Sequence, residues 1–499
     1  MGASSSKLTA APQLSQEVLE EKMRGSMNSL AISVTDVVPL SSSGALSPTL
    51  IENWESEVVS DPRTKLARTV LATNHIHSSL LDRTAQIADQ HVFNHVIDFK
   101  TGPRTDQRNS GRCWLFATTN VLRYEVMKKL NISELELSQS YLFFWDKLNK
   151  SNYYLELSIE NAEKPLDDRL VYFLSDDLIS DGGQWDMVVN VLEHYGTVPK
   201  AIYPESYSSS SSGVLDALLQ TKLREHAIIL RELCASLKAT SMTRDAILST
   251  VRAKKEELMK EVYTIMTATL GVPPPANKKF VFDYYDKDDK PRKWEGTPIE
   301  FYKNVASGRY PPSDSFSLIN DPRNEYGKLY TVDKLGNVWG GRPVLYVNTE
   351  IENLKATVVK LIKAGIPVFF GCDVGKHSDS TLGIMDLKLF DYDTAFNIKL
   401  GMTKKQRLQV NESAMTHAMV ICGVHVDPET GKPVRYKVEN SWGERSGEKG
   451  WFMMTDEWFS EYVFQIVVPK ALAPKELVKV FEDGNPHVLP AWDPMGSLA

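Results

Sequence analysis

The chain is poor in cysteine, has no long apolar run and carries no excess of positive charge, and each shortage removes a class of protein. Its four cysteines, Cys113, Cys234, Cys372 and Cys422, show neither close pairing nor metal-ligand spacing. A disulfide scaffold and a cysteine-ligated metal site are therefore not expected. No uninterrupted apolar stretch has the roughly 20 residues that a membrane helix needs, and the first residues lack the apolar core of a secretory signal. Lys and Arg number 57 against 64 Asp and Glu, a net charge of −7 spread along the sequence. Phosphate binding needs a concentrated basic surface, so nucleic acid is not an expected main partner, local basic patches apart. What remains is a protein expected to stay in the cytoplasm, with 42% apolar residues from which to build large cores.

In Gln107-Arg108-Asn109-Ser110-Gly111-Arg112-Cys113-Trp114-Leu115-Phe116-Ala117 a turn of small and polar residues gives way to an apolar, helix-forming run. Cys113 is thereby placed at a helix N-terminus, where unpaired N–H groups and the helix dipole stabilise a thiolate and lower the thiol pKa. Gln107 is near enough for its side-chain amide to join the Cys113 N–H in holding a developing oxyanion. Taken alone, Cys113 would pass for a buried cysteine beside a loop glutamine. Two distant stretches change that. Thr416-His417-Ala418-Met419-Val420-Ile421-Cys422-Gly423-Val424 puts a histidine at the mouth of a strand-like run, and Tyr436-Lys437-Val438-Glu439-Asn440-Ser441-Trp442-Gly443 puts an asparagine at the end of another. A lone histidine is usually structural, and Asn-Ser-Trp-Gly alone reads as a turn with a packed tryptophan. With the cysteine they supply nucleophile, base and orienter.

This order of Gln and Cys, then His, then Asn resembles the papain superfamily of cysteine proteases, and within it the bleomycin hydrolases, a family of cytosolic cysteine aminopeptidases. The resemblance covers residues 50–499. It implies an α+β, papain-like cysteine protease fold with a helical half, a β-rich half, an inserted helical subdomain and a C-terminal arm. The stretches are a mobile tail (1–45), the Cys-bearing half (46–207), the insertion (208–300), the half bearing His and Asn (301–470) and an arm reaching the cleft (471–499). Cys113 would attack as a thiolate, His417 would protonate the leaving amine, Asn440 would orient the imidazole and Gln107 would hold the oxyanion. Trp442 would shield the Asn440 to His417 hydrogen bond from water, though core packing alone would also place a tryptophan there. In Asp181-Gly182-Gly183-Gln184-Trp185 the family resemblance makes Gly182 and Gly183 a wall of the cleft that an extended peptide approaches, where a glycine pair otherwise marks only a turn. Deacylation by water completes a thioester cycle with no metal or organic cofactor. Secreted members of the superfamily carry a disulfide between positions held here by Ser110 and Ser180, as a reducing compartment allows. The family further implies peptide substrates, turnover of bleomycin amide or homocysteine thiolactone, and a homohexamer with its active sites facing an inner chamber. A transglutaminase-like acyl transferase, which typically uses Asp as orienter, and a noncatalytic scaffold are the alternatives.

The rest of the chain supports this layout. Residues 1–45 are rich in Ser, Ala and Thr, and Met1-Gly2-Ala3-Ser4-Ser5-Ser6-Lys7 fits the N-myristoylation pattern at Gly2. One acyl chain would give only marginal membrane attachment. Leu50, Ile51, Trp54 and Val58 share a helical face, residues 64–72 form a second helix, and residues 92–99 read as a strand entering the catalytic turn. The run 208–212 is all serine and reads as a linker or loop, while 214–270 has helical spacing throughout. That insertion explains why the histidine follows the cysteine by roughly 300 residues, about twice the separation in papain. Residues 283–293 are a loop or hairpin, 354–364 a helix, and strands follow at 365–371, around His417, at 434–440 and at 450–454. The tail Pro490-Ala491-Trp492-Asp493-Pro494-Met495-Gly496-Ser497-Leu498-Ala499 is apolar, and Trp492, Met495 and Leu498 gain more by docking than by solvation. The family resemblance places this tail in the cleft, with the Ala499 carboxylate pairing a substrate α-amine.

Overall fold

The computed structural model describes residues 44–97 and 104–499. The tail 1–43, with the Gly2 motif, and residues 98–99 of the predicted strand lie outside the described residues.

Helix α1 (Cys113–Leu130) is buried on nearly every side, with Trp114, Leu115, Phe116, Leu122, Val126 and Met127 all in the core. A helix apolar all round belongs in the middle of a protein. It stops where Asn131 turns left-handed (φ 53°) and returns its N–H to the Lys128 and Met127 carbonyls. Helix α2 (Gln139–Glu160) begins at Ser138, whose hydroxyl accepts the Tyr141 N–H. Helix α3 (Trp185–Tyr195) follows the glycine pair. Helices α4 (Gly213–Lys238) and α5 (Arg244–Leu270) pack on each other and on α2, so the predicted helical insertion is a pair that turns at 239–243.

Among the described residues the other layer is a twelve-stranded sheet. Its centre is built from β1 (Val368–Cys372), β2 (His417–Val426), β3 (Pro433–Glu439), β4 (Trp451–Thr455) and β5 (Val463–Pro469). β1 lies antiparallel between β2 and β5, and β2 continues antiparallel to β3 and then β4. β1 and β5 are buried at every residue and β2 at all but His425, which accounts for their near-continuous apolar composition. α1 packs across β2. Helices and sheet are thus segregated, an α+β arrangement whose junction holds the N-terminal ends of α1 and β2. One apolar core runs through both halves and the inserted helices, from Ile97 to Ala499.

Several local expectations are refined. The serine run is no free linker: Tyr207–Ser210 is a short helix with a capping box between Ser206 and Ser209. Asn109 donates its N–H to the Ser210 carbonyl at 3.0 Å, so hydroxyls that composition reads as flexible here cap and tether the backbone. Residues 283–293 fall in a hairpin, Phe280–Tyr285 against Pro291–Gly296. Of the predicted strand at 92–99, His95–Val96 pairs with β2. The helix Pro48–Ser60 does align Leu50, Ile51, Trp54 and Val58, yet all four are exposed and the helix buries none of its residues.

Candidate active site

Cys113 is the first residue of α1, and Arg112 before it makes no side-chain cap. The Cys113 and Trp114 N–H groups are left for the thiol, and with that of Ala418 they approach Sγ, while Leu115 donates to the Arg112 carbonyl. Ala418 follows His417, the first residue of β2, so helix end and strand end meet at the sulfur. His417 Nε2 lies 2.9 Å from Asn440 Oδ1, which leaves Nδ1 as the ring nitrogen available for proton transfer. Asn440 Oδ1 also accepts the Ser441 N–H at 2.8 Å, which fixes the amide. The Trp442 ring lies 4.9 Å from the imidazole and packs edge-on against Phe452, so shielding and core packing coincide in one side chain.

Gln107 is buried and held from three sides. Its N–H donates to the Ser441 carbonyl at 2.8 Å, its Oε1 accepts from Ser441 Oγ at 2.7 Å, and its Nε2 donates to the Ser110 carbonyl at 2.6 Å. One amide hydrogen remains for an oxyanion. Asp106 pairs with Trp442 and the Gly443 N–H donates to the Thr105 carbonyl at 3.0 Å. The turn bearing Gln107 and the turn following Asn440 are therefore zipped together.

Burial overrides the helix terminus. The sequence predicts a lowered thiol pKa, but Cys113 is 2% exposed and burial pushes its thiol up to about 12, outweighing the N–H groups. His417 is also buried, and desolvation pushes its imidazole down to about 4 against the opposing bond to Asn440. In this closed geometry burial favours the neutral thiol and the neutral imidazole.

The chain's own C-terminal segment lies along the glycine-lined wall. Gly183 donates its N–H to the Ala499 carbonyl at 3.0 Å, and Gln184 Nε2 donates to the Ser497 carbonyl at 2.6 Å. Ser497 Oγ donates to the Met415 carbonyl at 2.9 Å, and Tyr346 Oη to the Met495 carbonyl at 3.2 Å. A Cβ on Gly182 would lie 2.8 Å from the Leu498 Cβ and carbonyl, and one on Gly183 would lie 2.5 Å from the Trp114 indole. Both positions demand glycine for space. Farther out, the Arg169 guanidinium covers the Trp492 ring at 3.7 Å and Arg323 pairs with Asp493 at 2.8 Å. Met495 and Ala499 are buried.

Two charged groups escaped the sequence reading. Asp181, just before the glycine pair, accepts the Gly111 N–H at 2.8 Å and faces the buried Lys147 at 2.8 Å. Glu439, just before Asn440, is buried against Arg123 of α1, with Arg104 at 3.5 Å. Adjacency to the motif residues was the only available signal; the partners are too distant in sequence to read. All four cysteines are free thiols, and Ser110 Oγ donates to the Gln107 carbonyl at 2.6 Å. Among the described residues no group of three or more His, Cys, Asp or Glu is arranged to hold a metal ion.

Known proteins resemble this chain over most of its length. Human bleomycin hydrolase is 43% identical over 447 residues, covering 88% of this chain and 96% of that protein. Saccharomyces cerevisiae "Cysteine proteinase 1, mitochondrial" is 44% identical over 454 residues, covering 90% of this chain and 92% of that protein. The crystal structure of pepw from Lactobacillus rhamnosis HN001 superposes with a TM-score of 0.86 at 41% identity, covering 92% of this chain and all of that one. Residues 45–496 match the Peptidase C1-like family. A papain-like fold and a cysteine peptidase activity follow, and the chain belongs to the Peptidase C1-like family.

Proposed function

We propose that the protein is a cysteine aminopeptidase of the bleomycin hydrolase type, hydrolysing peptide amides from a free N-terminus. One observation carries the reading: Ala499 takes the Gly183 N–H that the backbone of an extended substrate would otherwise use. Only a short stretch upstream of the cut then fits beside Cys113. In the proposed cycle substrate binding brings the thiol proton to His417, the thiolate attacks the carbonyl, and Gln107 with the Cys113 N–H holds the oxyanion. His417, oriented by Asn440, returns the proton to the leaving amine, and water hydrolyses the thioester. In this reading the Ala499 carboxylate pairs with a substrate α-amine. Asn440 as orienter speaks against the transglutaminase-like acyl transferase. Profiling a peptide library with and without blocked amino termini tests this reading; equal turnover of both sets would sink it.

The proposed assembly is a homohexamer with the active sites facing inward. Its support is the helix Pro48–Ser60, whose aligned Leu50, Ile51, Trp54 and Val58 find no cover among the described residues. Light scattering at the mass of one 56.1 kDa chain under active conditions would overturn it. Among the described residues no helix is long and apolar enough to cross a membrane, and we place the enzyme in the cytoplasm, although the yeast relative is named mitochondrial. Bleomycin amide and homocysteine thiolactone are proposed as further substrates, and a myristoyl group on Gly2 as a weak membrane tether.

A further inference from the structure

We propose that Asp181 and Lys147 form a buried ionic joint that positions the nucleophile turn against the glycine-lined wall of the cleft, a role that rests on Cys113 being the nucleophile. The Asp181 carboxylate accepts the Gly111 N–H at 2.8 Å and the Ser212 hydroxyl through Oδ2, while Oδ1 lies 2.8 Å from Lys147 Nζ. Its main-chain carbonyl accepts Trp114 Nε1–H at 2.6 Å. One residue therefore grips the chain on both sides of Cys113. The approach is close, because a Cβ on Gly111 would lie 2.9 Å from the Asp181 Cβ.

The wall itself is held by two ammonium groups three residues apart on α2, hence on one helix face. Lys147 donates to the Ile179 carbonyl and pairs with Asp216 of α4 at 2.6 Å. Lys150 donates to the Ser180 carbonyl at 2.8 Å and the Gly182 carbonyl at 2.6 Å, and pairs with Asp146 at 2.8 Å. Lys147, Lys150 and Asp146 are buried. Fully desolvated ions are poor sources of net stability. Their gain is directional: three carbonyls of the segment leading into Gly183 are pinned, and Asp181 ties that segment to the cysteine. The opposed ammonium also keeps the Asp181 carboxyl well below the usual carboxylate range despite burial.

The test is Asp181→Asn, which keeps an acceptor for the Gly111 N–H but removes the charge facing Lys147. Active sites are titrated with iodoacetamide, so that turnover is counted per competent cysteine. A displaced turn is expected to lower kcat per titrated site by about 10²-fold. Because the Asp181 charge disfavours the Cys113 thiolate, the acid limb of the alkylation profile should also move to lower pH. The triple variant Asp181→Asn/Lys147→Met/Asp216→Asn leaves neither a lysine nor a carboxylate of the cluster unpaired and supplies the same readout if the single variant does not fold. Unchanged kcat per titrated site, or a fall with an unshifted profile, would overturn the joint. Loss of wild-type activity on labelling Cys113 checks the nucleophile independently, so the two readings fail separately.

Discussion

Gly183 and Ala499 are joined by a 3.0 Å backbone hydrogen bond, 316 positions apart in number but neighbours at the cleft. The donor belongs to the wall beside Cys113 and the acceptor to the C-terminal arm. Four further contacts along the arm, two at Ser497 and one each at Met495 and Trp492, set its reach. The arm therefore competes with any substrate that would run past it, and this geometry, rather than the chemistry at sulfur, is where specificity is to be sought.

Deleting residues 495–499 should accordingly change selectivity more than chemistry. The kcat/KM for free-amine substrates is expected to fall about ten- to a hundredfold, the worth of a charge-assisted hydrogen bond, while N-acetylated substrates become cleavable. Paired peptides differing only in acetylation measure it. The same truncation uncovers Cys113, so iodoacetamide should label the shortened enzyme faster at neutral pH. A preference left intact would mean that the free amine is recognised elsewhere.

Substitutions at the four central residues should grade by role. Cys113→Ser and His417→Ala remove groups that form bonds or move protons, and kcat is expected to drop by about 10⁴-fold or more. Asn440→Ala should be milder, since the imidazole keeps its place on β2 and loses only its orienter. Gln107→Ala should lower kcat by about 10²-fold with little change in KM, as removal of an oxyanion donor does. Steady-state kinetics on one peptide amide rank all four; a fully active Cys113→Ser would refute the assignment.

Much of this site was legible because its chemistry is local. A cysteine after a polar turn, a histidine opening an apolar run and an asparagine closing another each announce a helix or strand end, and the two halves bring those ends together. The docking of the tail was legible in part, from Met495 and Leu498, whereas Trp492 stays exposed beneath the Arg169 guanidinium. The thiol pKa was not, because a helix terminus is visible in sequence whereas burial under residues hundreds of positions away is not. The serine run misled for a related reason: Ser206 and Ser209 cap a turn whose partner is Asn109. Asp181–Lys147 and Arg123–Glu439 are pairs that only the fold creates.

The buried imidazole makes a prediction about acid. Desolvation lowers the folded-state pKa of His417 from the ordinary 6.5 to about 4, so the unfolded chain takes up this proton first as pH falls. The associated stability is fully present above pH 6.5 and is lost as pH falls toward 4, with a full depth of about 3 kcal/mol. His417→Gln removes the group, so the Tm of the variant should fall less than that of the wild type between pH 7 and pH 4. Other titrating carboxyls are common to both proteins and cancel in the difference. Parallel Tm curves would show that His417 is solvated in solution and that the arm does not seal the site.

The second ion pair invites a test in which stability and catalysis separate. Glu439 is buried at the end of β3, next to Asn440, and its carboxylate meets Arg123 of α1, the helix that begins at Cys113. Arg104 reaches the same oxygen at 3.5 Å. The pair therefore joins the strand that ends before Asn440, the proposed orienter, to the helix that begins at Cys113, the proposed nucleophile. Arg123→Met leaves the buried Glu439 carboxylate with the more distant Arg104 and the Cys422 thiol, and should destabilise the protein by about 3–5 kcal/mol. Glu439→Gln should cost less, because an amide oxygen still accepts from the Arg123 guanidinium. The double variant Arg123→Met/Glu439→Gln removes both charges and should recover much of the lost stability, since desolvated pairs contribute little net. Catalysis should not recover with it: without the pair, β3 and α1 lose their fixed register, and the hydrogen bond from Asn440 to His417 is no longer held in line with Cys113. Denaturation midpoints and kcat on the three variants provide the comparison. If kcat returned along with stability, packing alone would be sufficient to align the site and the ion pair would have no positioning role.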